Sequence, residues 1–350
     1  MTNYEMICLE SKTLLSKQQE QVLQFIRTLS SGDEVTSAEN TEDSRFSATP
    51  QQVESKLLSC PHCAGTRVIR FGHKCGKQRY LCKECDKLFV TTTKTVLENS
   101  HCCEDDWKQV ISDTLDGFVS IDKTAQNLGL SHSTVFHMRH KILMALEAHA
   151  NSEPTLLKNI SELDETYVLE DQKGTKMSTN AMRGPRKHGA KAAKRGISNE
   201  QICIMTGVER NGSSAYAVTL NRAHPSNTEI ITAFQDHIDT GSVVFTDGLK
   251  GYKNLETVVD CVVECVSTEK QKNAGTANLN HVNNFHSYIQ ERYAHYRGVA
   301  TRYINRYNSL FAAAYRAKAS LENIIDAILH GTNTGVFSYW DVHNSSLVSI

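Results

Sequence analysis

The run Leu163-Asp164-Glu165-Thr166-Tyr167-Val168 constrains this chain more than any other stretch. With Ile160 before it and Leu169 after it, it reads as a short, largely buried central strand over 160–169. Carboxylates are nearly absent from such strands unless something pairs with them. A second instance, Val243-Val244-Phe245-Thr246-Asp247-Gly248, reads as a strand over 242–246 that ends on an acid and turns at a glycine. An edge-strand Asp or an N-capping Asp would account for either residue singly. Two carboxylates held at strand positions are also the minimum apparatus for divalent metal ions and phosphoryl transfer.

The surrounding pattern gives these strands a sheet. Strands are expected at 200–209, 214–220 and 258–266, with helices at 226–239 and 281–296. Three strands, a crossover helix and further strands and helices make an α/β domain with a mixed sheet over 158–330. Between the first two strands, residues 173–195 hold eight Lys or Arg and no acid, including Arg183, Arg186, Lys187 and Lys191. A basic run placed directly after a metal-bearing strand suits a phosphate clamp, although charge runs are commonly just solvated surface.

The amino-terminal half carries a sharper local signal. Cys60-Pro-His-Cys63 and Cys82-Lys-Glu-Cys85 are two CxxC pairs with 18 residues between them. Each pair supplies two sulfurs from one tight turn, and two such turns complete the tetrahedron of a structural Zn²⁺. A zinc ribbon is therefore expected over 56–96, with Cys75 surplus. Between 60 and 95 there are eight Lys or Arg against Glu84 and Asp86, which suits a surface facing DNA. Residues 104–150 read as helical. The stretch from Lys123 to Val135 has a small residue at 125, a Gly at 129 and an N-capping Ser at 131, the pattern of a helix-turn-helix. Its second helix brings Ser133, Thr134, His137 and Arg139 within range of phosphates and base edges; an ordinary αα-hairpin is the plainer reading.

The remaining segments bound the rest. Residues 1–55 read as a short helical piece and a flexible acidic linker, with nine acids against four basic residues; residues 331–350 form an uninformative tail. No apolar run approaches the ~18 residues of a membrane span, and Met1-Thr2-Asn3-Tyr4-Glu5 lacks the start of a signal peptide. A cytoplasmic, nucleoid-associated protein is expected, in which the eleven cysteines serve as metal ligands or core residues. The net charge of −1 averages over strongly basic and acidic segments.

Several motifs together resemble bacterial insertion-sequence transposases. They are Asp164-Glu165-Thr166-Tyr167, Arg183-Gly-Pro-Arg186-Lys187, Thr246-Asp247-Gly248 with Tyr252, His281-Val-Asn283-Asn-Phe-His286-Ser287, and Arg297-Gly298-Val299-Ala300-Thr301-Arg302-Tyr303. The resemblance spans roughly 56–330. It implies a zinc ribbon, a helix-turn-helix and a DDE-type catalytic domain of RNase H-like fold. It also implies cleavage and strand transfer of the element's own double-stranded DNA ends into target DNA, by a homo-oligomer using two Mg²⁺ or Mn²⁺ ions. Asp164 would bridge the ions and Asp247 would bind one. The third acid of the pattern is missing: His286 stands where the helix Glu belongs. Asn283, on the same helix face as His286 and Gln290, is also at a plausible spacing for the third ligand, and Glu291, pointing elsewhere, is a weaker candidate. That departure leaves two other readings open, a catalytically inactive DNA-binding regulator and an RNase H-like nuclease without strand transfer.

Overall fold

A computed structural model describes residues 58–74, 76–152, 155–173, 191–211, 214–266, 277–316 and 321–330. The expected small amino-terminal helix, the linker, Cys75 and the carboxy-terminal tail lie outside them, as does most of the basic 173–195 stretch. Among the described residues no helix is long and apolar enough to cross a membrane.

The ribbon is a three-stranded antiparallel sheet, β1 (Val68–Lys74), β2 (Lys77–Cys82) and β3 (Leu88–Val90). Its small core is Cys60, Cys82 and Phe89, with Val68, Tyr80 and Cys85 packed against it. So few apolar side chains cannot hold a unit of this size together without a staple.

Three helices follow: α1 (Glu104–Asp116), α2 (Ile121–Leu128) and α3 (His132–Ser152). Their ends are chemically set. Cys103 and Asp106 form a capping box on α1, and the Ser120 side chain caps α2. Gly129, at φ 64°, ends α2 in the left-handed conformation of a glycine C-cap. Ser131 Oγ then accepts from the Thr134 N–H and opens α3.

The second sheet has five strands: β4 (Ile160–Leu169), β5 (Gln201–Glu209), β6 (Ala215–Arg222), β7 (Ser242–Thr246) and β8 (Cys261–Cys265). Their order is β6-β5-β4-β7-β8. Pairings β6–β5 and β5–β4 are antiparallel; β4–β7 and β7–β8 are parallel. This is the mixed sheet expected of an RNase H-like domain, with the two acid-bearing strands β4 and β7 adjacent at its centre. Helix α4 (Asn227–Phe234) is shorter than the sequence suggests, and an unforeseen 3-10 segment, Lys250–Thr257, precedes β8. Helices α5 (Asn280–Tyr296), α6 (Ile304–Arg316) and α7 (Leu321–His330) complete the domain.

Alternation along β5 divides the interior in two. Ile202, Ile204 and Val208 lie on the side of α5. Cys203 and Met205 face α4 and the 3-10 segment, beside Leu163, Phe234, Tyr252 and Leu255. Trp107, Val110 and Ile111 of α1 and Val135 and Ile142 of α3 share one apolar core with Phe285, Ile289, Tyr303 and Phe311. Buried Arg306 on α6 reaches Glu147 on α3 at 3.4 Å across this junction.

Candidate active site and metal centres

In the ribbon, the Cys60 and Cys85 sulfurs lie 3.7 Å apart and those of Cys63 and Cys82 3.6 Å apart. One donor atom from each of the four lies within 4.8 Å of the others, so this group could hold a metal ion. The backbone N–H groups of His62 and Glu84 point at the sulfurs of Cys60 and Cys82, as tight knuckle turns require. Glu84 in turn accepts from the N–H groups of Thr66 and Arg67, tying one knuckle to the other. The donor set, four sulfurs and nothing else, suits Zn²⁺.

In the α/β domain, β7 pairs with β4 only along Ile160–Glu162, opposite Val243–Phe245. Past Glu162 that edge of β4 has no strand beside it among the described residues. Continuing the parallel register brings Asp247 level with Asp164. Gly248, at φ 111°, turns the chain there, and Asp247 Oδ1 accepts from the Leu249 N–H at 3.0 Å. Asp164, Glu165 and Asp247 each place a carboxylate oxygen within 4.8 Å of the other two, so this cluster too could hold a metal ion. Glu165 was not among the site residues expected from sequence. Burial pushes the Asp164 carboxyl up to about 6, with the Asp247 charge adding to the rise. Burial pushes Glu165 up to about 7, against the hydrogen bond that Tyr252 donates to it.

His286 approaches the cluster from α5. Its Nδ1 lies 3.9 Å from Asp164 Oδ2, and its Nε2 lies 2.6 Å from Thr206 Oγ1. The Thr206 hydroxyl donates its one proton to the Asp164 carbonyl at 2.8 Å, so it must accept from His286, and Nε2 carries the ring proton. Burial lowers the ring's pKa to about 4, which keeps it neutral. A neutral ring protonated on Nε2 leaves the Nδ1 lone pair facing Asp164, the form a metal ligand needs. Gln290, one turn further on, donates to Thr166 Oγ1 and the Tyr167 carbonyl, both at 2.9 Å. Asn283 is exposed on the first turn of α5. Glu291 is exposed and faces Arg292.

Helix α5 is fixed to β4 by a residue the sequence reading passed over. The Glu162 carboxylate is fully buried two positions before Asp164, on the same face. It accepts from the His281 and Val282 N–H groups at 2.8 and 3.0 Å, from Arg210 Nε at 2.6 Å, and lies 2.9 Å from His281 Nδ1. Acceptance at a helix N-terminus combines capping with the helix dipole. The clue in the sequence was an acid at even spacing from Asp164 within an apolar strand.

The residues expected to meet DNA separate into three groups. Ser133 is exposed and Thr134 half-buried at the start of α3, and His137 is half-buried one turn on. Arg139 turns inward: it is 4% exposed and donates to the Val119 carbonyl at 3.0 Å, so it is no base reader. The cause is that α3 packs on α1, α2 and α6, which covers its middle turns and leaves its two ends open. Lys191 is exposed, while Arg183, Arg186 and Lys187 lie outside the described residues.

Strand-borne carboxylates gathered at the edge of a mixed sheet suit the binding of a divalent cation. Comparison with known proteins narrows the reading. Residues 156–317 match the family model of the ISXO2-like transposase domain. An uncharacterized protein in transposable element ISH50 of Halobacterium salinarum is 27% identical over 198 residues, 56% of this chain and 64% of that protein. The chain thus spans just under two thirds of that relative's length. Among solved structures, the Mos1 strand transfer complex gives a TM-score of 0.28 at 10% identity, covering 68% of this chain and 80% of that one. The Mos1 paired-end complex with the left transposon end gives 0.25 at 9% identity, covering 66% and 80%. The family match and the relative within a transposable element support the resemblance to an insertion-sequence DDE transposase.

Proposed function

We propose that the chain is a DNA transposase that cleaves the ends of its own insertion sequence and transfers them to target DNA. What supports this most is the convergence of Asp164 and Asp247 at one open sheet edge, within the stretch that matches a transposase domain. The intact pair speaks against a regulator that has lost its chemistry.

Mg²⁺ or Mn²⁺ bound there would activate water or a 3′-hydroxyl and stabilise the leaving oxygen. Asp164 would be shared between two cation positions, Asp247 would serve one, and His286 would offer Nδ1 to the other. An imidazole donor favours Mn²⁺ relative to Mg²⁺. Asn283 shares the face of His286 but stands further out, as an outer-shell or DNA contact. The four cysteines would hold one structural Zn²⁺. Ser133, Thr134 and His137 at the open end of α3, with Arg183, Arg186, Lys187 and Lys191 of the basic stretch, would meet double-stranded DNA. Pairing two element ends would take at least a homodimer on DNA.

The decisive experiment uses a duplex carrying the element end and the Asp247→Asn variant. Cleavage should fall about a thousandfold, on the order of 4 kcal/mol of barrier, while end binding is retained. Normal cleavage by this variant would overturn the assignment. Parent protein that cleaves ends but never joins them to target would be a nuclease instead.

A further inference from the structure

We propose that Glu165 is a ligand of the divalent cation held by Asp164 and Asp247, and that Tyr252 is the residue that positions it. This rests on reading the open edge of β4 as a metal-dependent phosphoryl-transfer site.

Neighbouring residues of a strand face opposite sides of its sheet, so Glu165 begins on the wrong side to join Asp164. Thr206, paired with Asp164, lies beneath α5, whereas Met205, paired with Glu165, faces α4. The missing strand neighbour removes the obstacle. Because β4 runs on past its pairing with β7, both side chains can wrap round the bare edge towards Asp247. Asp164 bends that way, its Oδ1 accepting from the Glu165 N–H at 2.9 Å.

Tyr252 holds the other side. It is fully buried, and its hydroxyl donates to Glu165 Oε1 at 2.6 Å, which leaves Oε2 for a cation. The close seating of the 3-10 segment that carries Tyr252 depends on Gly251. A Cβ there would stand 2.5 Å from Ile230 Cδ1 and 2.9 Å from Asn227 Oδ1 of α4.

Two further observations point to a cation. Among the described residues, no Lys or Arg forms an ion pair with any of the three carboxylates, although each of the buried acids Glu162 and Glu170 has an Arg partner. Three acids this close repel one another unless a positive charge intervenes. Thr246 is fully buried at the end of β7, on the face shared with Val244 and Tyr252, and its hydroxyl has no hydrogen-bond partner among the described residues. Thr246 immediately precedes Asp247, so this unpartnered hydroxyl lies next in sequence to a carboxylate of the cluster. Glu165 and His286 then flank Asp164 from opposite faces of the sheet, one for each cation position.

Mn²⁺ binding to the full chain, followed by titration calorimetry and by the Mn²⁺ electron paramagnetic resonance signal, tests this without reference to turnover. Glu165→Gln should weaken the tighter class of Mn²⁺ sites about a hundredfold, and Tyr252→Phe about tenfold. His286→Ala should leave that class in place. Zinc content and circular dichroism confirm that each variant is folded. Parent-like Mn²⁺ binding by folded Glu165→Gln overturns the assignment of Glu165, and parent-like binding by Tyr252→Phe overturns the positioning role. If Asp164→Asn and Asp247→Asn lose Mn²⁺ while Glu165→Gln keeps it, only the inference falls. If none of the three changes binding, the metal-site reading falls with it.

Discussion

The ribbon and the sheet edge each gather side chains that could hold a metal ion within 4.8 Å, and they do so in opposite ways. In the ribbon, two short turns deliver sulfurs in pairs, and Cys60 and Cys82 are at most 1% exposed. Cys63 is exposed, but four sulfurs suffice to complete a tetrahedral set, and the apolar support is little more than Phe89 and its neighbours. At the sheet edge, two adjacent residues and a third 82 positions later converge because one strand stops early. Asp247 remains exposed, and one side of the cluster is open. A closed set of donors suits a metal that builds the fold; an open set suits one that must also reach a substrate. Metal removal should therefore unfold the first and merely unsettle the second.

The largest effect expected is at the ribbon. Cys60→Ser should abolish zinc binding, which is worth on the order of 10 kcal/mol to a unit this small. The α/β domain, which has its own two-sided core, should stay folded. Metal analysis and amide exchange across 58–90 check this. A full zinc complement in the variant, or exchange-protected ribbon amides without zinc, would remove the contrast between the regions.

The sheet edge should instead fail through its scaffold. Glu162→Ala strips the buried partner from Arg210, which is 10% exposed in its side chain, and uncaps the start of α5. Removing one member of a buried charge pair costs about 3–5 kcal/mol. Chemical denaturation should show a loss of that order in the α/β domain, with zinc retained. A loss below about 1 kcal/mol would mean that α5 is held by its apolar face alone.

These contrasts also explain what could be read from the chain. The ribbon was legible because CxxC turns are local and their chemistry follows from spacing. Strands 160–169 and 242–246 were legible because apolar runs fix their ends, and both came out at those bounds. Glu165 was not legible: strand alternation alone sends it away from Asp164, and only the early end of β7 brings the two round one edge. The burial of Arg139 was hidden for a similar reason. A helix covered from two sides has no polar stripe to mark its outer face, so tertiary packing decides which of its cations meet solvent.

The smallest effect is the one that separates the two centres most directly, because it concerns the metal-free state. Glu165 is raised to about 7 in the fold, from an ordinary value near 4.5, chiefly by burial. A carboxyl whose folded pKa is raised stabilises the fold below its unfolded pKa, and that contribution is lost as pH climbs through the folded value. Between pH 5 and 8 the folded protein must give up a proton that the unfolded chain has already released. Glu165→Gln has no such proton. Relative to the parent, it should therefore gain stability on the order of 2 kcal/mol over this interval when metal is absent. Adding Mn²⁺ at pH 8 should stabilise the parent and shrink the difference, because a cation neutralises what burial penalises. Thermal unfolding of both proteins at the two pH values, with and without Mn²⁺, measures all four terms. A difference that stays flat with pH, or parent protein that ignores Mn²⁺ at pH 8, would leave the edge as three solvated acids with no cation to gather them.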